Sequence, residues 1–337
     1  MHRLFTISIS IACAALVACK NRHASPTVPV GSASQSVPGR GLPQSQSQSQ
    51  LDRVRPPAQP CQPGAPADVL VTRAGAEFEE ERYEKALACA EEALELDPRD
   101  VPALHYRAAS MAALGRLDNA RVAFERALAV DPDDPETLWS AADFFLAKLN
   151  GDREVVEVGL EYALRGARFA LRPPRRDSDL AARLDLLAGM AENDLGRSQD
   201  ALKHLDETLA LHPDDSDALY ERGVALYELC RFKEAERTLA KMMKKSPDDA
   251  WAIHYMGLLA ERAGDEQRAQ SLLRRAAELS PADFKPEVPI DRSTFQKEVN
   301  QAVASLPAPE RAALKEVPVQ VDELPALTDL TAVDPPL

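Results

Sequence analysis

Aromatic side chains are scarce, with Phe, Trp and Tyr together 5% of the 337 residues. That argues against a β-rich core. The 45% apolar content, rich in Ala and Leu, suits closely packed helices joined by short turns. At this length the chain holds one to three domains. Basic residues are outnumbered, 40 Lys and Arg against 54 Asp and Glu, for a net charge of −14. The clustered positive charge of a nucleic-acid footprint is therefore missing. The acidic balance serves solubility and identifies no partner. None of the 5 cysteines stands in a CxxC or Cys/His metal spacing. The 6 histidines, at positions 2, 23, 105, 204, 212 and 254, form no HExxH. A Gly-rich phosphate loop and a GxSxG motif are also missing. The sequence thus offers no catalytic residues, metal ligands, cofactor or small-molecule substrate.

What is present begins with an address. In "MHRLFTISISIACAALVACK", Arg3 precedes an apolar run from Leu4 to Leu16 that is too short to span a bilayer. Residues 1–18 read as an export signal peptide. The stretch Leu16-Val17-Ala18-Cys19 resembles the bacterial lipobox. That resemblance implies that Cys19 becomes a lipidated amino terminus and makes the membrane a partner through its lipid. An ordinary signal cut near Ala18 is the other reading. Cys13 fits the lipobox less well, because Ser10 stands where Leu belongs. Lys20 occupies the place where inner-membrane lipoproteins often carry Asp, so the analogy leans to the outer membrane, facing the periplasm. Export leads to an oxidising compartment. A Cys61–Cys89 bridge would tie the leader to the first helical pair. Of Cys61, Cys89 and Cys230, one must remain unpaired within the chain. Residues 19–66, rich in Ser, Pro and Gln with "QSQSQSQ" at 44–50, read as a disordered tether. A coil of that length reaches roughly 40 Å.

From 67 to 283 a 34-residue period takes over. Counting Ala67 as position 1 places Ala74, Ala86, Ala90, Ala93 and Pro98 at positions 8, 20, 24, 27 and 32. The second copy has Ala108, Gly115, Ala120, Phe124, Ala127 and Pro132. Later copies have Gly189, Gly196, Ala201, Leu205 and Pro213; Gly223, Ala235, Leu239, Met242 and Pro247; and Gly257, Gly264, Ala269, Leu273, Ala276 and Pro281. Thr208 departs from the pattern at position 27. Small residues at 8, 20 and 27 allow two antiparallel helices to cross closely, and a larger one at 24 fills the remaining space. Gly near 15 suits a left-handed turn, and Pro at 32 ends the second helix. Each pair alone buries only part of its apolar face, so neighbours must stack.

This pattern resembles the tetratricopeptide repeat. The resemblance implies an all-α solenoid of about six helix-turn-helix repeats: 67–100, 101–134, 135–177, 182–215, 216–249 and 250–283. The third is irregular, with about nine extra residues within "NGDREVVEVGLEY" that read as an enlarged inter-helix segment. Proteins of this type bind protein or peptide partners on a concave face lined by the first helix of each pair, helix A. At positions 2, 5, 9 and 12 that face gains His105, Trp139, Met190, Tyr220, Tyr227, Trp251 and His254. Both tryptophans and two of the 6 tyrosines fall there, which suits peptide recognition. The alternative is that Trp139 and Trp251 pack against the neighbouring repeat. The Lys/Asn clamp used for acidic carboxyl-terminal peptides is missing at these positions.

Residues 284–337 break the period. Ser293 and Gln296 read as a capping box opening a helix whose apolar stripe is Phe295, Val299, Ala302, Val303 and Leu306. Val317, Val319 and Val321 alternate as a strand. This run resembles the opening segment of a bacterial zincin-like metallopeptidase domain, but no HExxH follows before Leu337. No ligand or catalytic role can therefore be carried over, and the alternative this resemblance implies is a truncated or degenerate metallopeptidase whose repeats recruit substrate. The expectation is that helix 294–305 docks on the last repeat as a cap while the segment beyond Pro307 stays largely mobile.

Overall fold

The computed structural model describes residues 7–10, 61, 64–149, 152–174, 176–285, 291–314, 319–322, 324–332 and 336. Cys19 and nearly all of the leader and tether lie outside them. The chain divides into two compact units, one of residues 25–195 and the other of residues 1–24 with 196–337. The first contains α1 (Ala67–Glu79), α2 (Tyr83–Leu96), α3 (Val101–Ala113), α4 (Leu117–Val130), α5 (Pro135–Asp143), a π-helical turn (Phe144–Lys148), α6 (Arg153–Ala170) and α7 (Ser178–Asp194). The second contains α8 (Ser198–Leu211), α9 (Ser216–Glu228), α10 (Phe232–Met243), α11 (Ala250–Arg262) and α12 (Glu266–Leu279). Beyond these repeats it has α13 (Arg292–Ser305), α14 (Ala308–Leu314) and α15 (Leu327–Leu330). It also has one parallel strand pair, β1 (Ile7–Ser10) with β2 (Val319–Asp322), in which Ile7 stands opposite Val319.

Two local devices set the helix boundaries. An aspartate precedes each helix A from the second repeat on, and its carboxylate accepts from a backbone N–H of the first turn. Ala103 N donates to Asp100 at 2.8 Å, Thr137 N to Asp134 at 2.9 Å and Leu180 N to Asp177 at 2.8 Å. Ala218 N donates to Asp215 at 2.8 Å and Ala252 N to Asp249 at 2.9 Å. Each such cap contributes about 1 kcal/mol. The turns of five helix pairs each hold one residue with positive φ. Gly115, Gly196 and Gly264 supply it at 71°, 74° and 77°, whereas Glu81 and Cys230 adopt 57° with a side chain attached.

The small positions sit where the helices cross. Ala74, Ala86, Ala90, Ala93, Ala108, Ala120 and Ala127 are all 0% exposed. A Cβ on Gly223 would lie 2.6 Å from Leu239 Cδ2, so the glycine at position 8 makes room for the leucine at 24. In the first unit, Phe124 of α4 meets Phe144 with centroids 5.3 Å apart, joining the second and third helix pairs in one core.

The irregular third repeat differs from expectation. Its additional residues do not enlarge a loop. They go into the π-helical turn after α5 and into α6, which runs 18 residues. Val156 and Leu160, within the insertion, are buried and extend the apolar face of α6, so the insertion builds core.

The tail requires three corrections. Asp291, not Ser293, caps α13, accepting from Ser293 N at 2.9 Å and Thr294 N at 3.0 Å. No residue of α13 is buried, so the helix does not dock as a cap. That place is taken by Phe284, which is 8% exposed and packs with Ile253 and Ala276. Phe284 stands 34 residues after Ala250, where a seventh helix A would begin, and therefore meets the uncovered end of the last pair. Beyond Pro307 the chain does find shelter: Leu330 is buried, and Pro325 O accepts from Arg262.

Candidate functional site: the helix-A face

In the first unit, α3, α5 and α7 present successive helix-A faces, with α5 in contact with both of the others. Trp139 of α5 is half-buried beneath Arg183 of α7, whose guanidinium carbon lies 4.6 Å from the indole centroid. Arg183 Nη2 also stands 4.0 Å from Glu136 Oε2, one turn before Trp139. Partial desolvation holds the Glu136 carboxyl above its ordinary range; Arg183 opposes this, and Asp134 and Asp177 add to it. Two turns on from Glu136, Asp143 is half-buried, and that burial raises its carboxyl against the pull of Lys148.

His105 of α3 is half-buried, with Nδ1 shielded and without a hydrogen-bond partner among the described residues. Burial lowers its pKa to about 4, opposed by Asp134, so the imidazole is neutral near pH 7. Met190 of α7 is also half-buried. His105, Trp139 and Met190 thus keep part of their surface open on a face bearing two carboxylates, one arginine and one indole.

The predicted residues of the second unit behave differently. Tyr220 is 2% exposed and therefore not a groove residue. It stands edge-on to Tyr255 with centroids 6.1 Å apart, packing one repeat on the next. Tyr227 is half-buried between Phe232 and Tyr255, at 5.4 Å from each. Trp251 and His254 are half-buried and contact Phe284, which meets Trp251 edge-on at 4.7 Å and stacks on His254 at 4.5 Å. Burial lowers His254 to about 4 as well. Sequence reasoning missed Tyr255, Phe284 and Arg183. Phe284 was findable, because its place in the period is that of a helix-A residue.

Cys61 and Cys89 form a disulfide, their Cα atoms 4.8 Å apart, at the first helix pair. Cys230, half-buried, is the free cysteine among the described residues.

Residues 77–147 and 193–260 match the tetratricopeptide repeat family model, less than half of the chain. No curated protein sequence matches. Among solved structures, the chain is similar to PilW, described as a widely conserved type IV pilus biogenesis factor. The TM-score is 0.53 at 20% identity, over 64% of this chain and 94% of that one. It is also similar to PilF of Pseudomonas aeruginosa, with a TM-score of 0.54 at 18% identity over 69% of this chain and 97% of that one. These likenesses concern the fold. With the repeat match and the observed helix pairs, they show an all-α fold of stacked helix pairs of the tetratricopeptide type.

Proposed function

We propose that the chain is a protein–protein interaction scaffold held at the cell envelope, and that the face formed by α3, α5 and α7 takes an extended peptide. The observation that carries this is the indole of Trp139, half-open beneath Arg183 on a helix that also bears the carboxylates Glu136 and Asp143. An indole offers large contact area at low entropic cost. The neighbouring carboxylates suit a basic side chain on the bound segment, and Met190 offers it an adaptable apolar surface. Tyr220 is buried and has no part in this reading; Trp251 and His254 are half-buried like Trp139, but Phe284 already packs on both. A photoreactive residue at Trp139 should capture a discrete partner from envelope fractions, whereas one at exposed Val122 should not. Capture of the same species from both positions would refute the assignment of this face.

Anchoring through lipid on Cys19 belongs to the same proposal and rests on the lipobox resemblance. Cys19→Ser should release the protein from membranes, since several acyl chains anchor stably where one binds marginally. A second reading, an outer-membrane assembly factor of the pilotin or β-barrel-insertion type, is supported by the likeness to PilW and PilF together with that leader. It expects the Trp139 capture to recover an outer-membrane assembly component.

A further inference from the structure

The carboxyl-terminal segment returns to the last two repeats at one defined point. Arg262, the final residue of α11, donates from Nη2 to the carbonyl of Pro325 at 2.9 Å, across 63 residues of chain. The same guanidinium lies over the ring of Phe232, its carbon 4.8 Å from the centroid. Phe232 opens α10 and meets Tyr227, which in turn meets Tyr255. Arg262 therefore bridges two successive repeats on their turn side and then reaches the tail. Leu324 and Pro325 are half-buried. In the single turn of α15, Leu330 is 7% exposed and Leu327 50%, so one face of that turn points inward. A four-residue helix does not hold itself together in water, so it is its docked side that orders it.

We propose that Arg262 and Phe232 form a recognition site for a short Leu-Pro segment that ends in a helical turn, and that residues 324–330 occupy it in cis. The chemistry fits such a ligand. A carbonyl accepting from a guanidinium makes a charge-assisted hydrogen bond. Proline fixes its own φ, so less freedom is lost on docking. A leucine at the end of the turn supplies apolar burial. The surrounding "VDELPALTDL" is acidic, which complements Arg262. A partner carrying such a segment competes with the tail for one seat. This seat lies at the turn edge of the second unit, so the inference stands whether or not the face around Trp139 binds a peptide.

The test uses the full chain and a fluorescent peptide spanning residues 322–332. Leu330→Asp undocks the tail and should bind the peptide at least about tenfold more tightly than the wild-type chain, whose seat is filled. Adding Arg262→Ala to that variant should abolish binding. In a second measurement, Arg262→Ala alone should raise amide exchange at Leu330 and Thr331 about tenfold. Binding of the peptide to Leu330→Asp no tighter than to wild type overturns the proposal. So does an Arg262→Ala change that leaves exchange in the tail unaltered, a readout that does not depend on the Leu330 variant.

Discussion

Leu273 fills the space left by Gly257: a Cβ on that glycine would stand 2.8 Å from Leu273 Cδ2. The contact fixes how closely α11 and α12 approach. Gly257→Val should therefore destabilise the protein by about 1–3 kcal/mol through overpacking. Pairing it with Leu273→Ala should restore part of the loss, because the two side chains then share one space. Urea unfolding midpoints of both single variants and the double variant measure this. Strict additivity would contradict the crossing as described.

At Cys230 the chain places a side chain at φ 57°, in the position where Gly264 takes 77° one repeat later. L-residues lose roughly 1–2 kcal/mol in that region. Cys230→Gly should recover about 1 kcal/mol after the entropy of the added glycine is subtracted. Gly264→Ala should lose a similar amount. Thermal melts of the two variants should shift in opposite directions.

Reducing the Cys61–Cys89 disulfide, which closes a separation of 28 residues, should lower stability by about 3–4 kcal/mol on the loop-entropy estimate. The effect should concentrate in the first repeats, because coupling in a solenoid runs between neighbours. Hydrogen exchange before and after reduction should show protection lost in α1 and α2 well before α11. Equal loss throughout would rule out local coupling.

Burial holds His254 at about 4, below its ordinary value of 6.5. The unfolded chain then takes up protons near pH 6.5 while the folded chain does not, so acidification favours unfolding. The stability this residue contributes is present above pH 6.5 and is lost as the pH falls toward 4. His254→Phe keeps an aromatic ring against Phe284 and removes the titration. The variant should therefore show a shallower fall in melting temperature from pH 7 to pH 4 than the wild type. Identical slopes would mean that His254 is accessible to protons when folded.

Much of this architecture was legible because alanine and glycine at positions 8, 20 and 27 carry a constraint of backbone distance, which sequence spacing records directly. Ala74, Ala86 and Ala120 fall at the crossings as the period requires. The aspartate caps were equally legible at Asp100, Asp134, Asp215 and Asp249, each standing just before a helix A. The insertion in the third repeat was misplaced because Val156 and Leu160 read as loop once the 34-residue register was lost. On the predicted face Trp139 keeps open surface, but position alone does not show what arrives from elsewhere in the chain: Tyr255 crosses from the next repeat to Tyr220, and Phe284 returns over Trp251 and His254. Arg183 over Trp139 was likewise invisible to spacing, since the pair forms only when α5 and α7 lie side by side.

The bond between Cys61 and Cys89 also sets the path of mechanical load. Helix α1 lies between those two cysteines in sequence, inside a covalently closed loop. A pull on the chain just ahead of Cys61 therefore enters the helical repeats at Cys61 and passes at once to Cys89 in the middle of α2, bypassing α1. While the bond holds, α1 cannot be peeled from the end like the outermost turn of a rope. The first part of the repeats to feel that tension is a buried crossing, where Cys89 packs among Ala74 and Ala90. Reducing the bond moves the point of attack to Ala67 and allows the repeats to be drawn out one helix at a time.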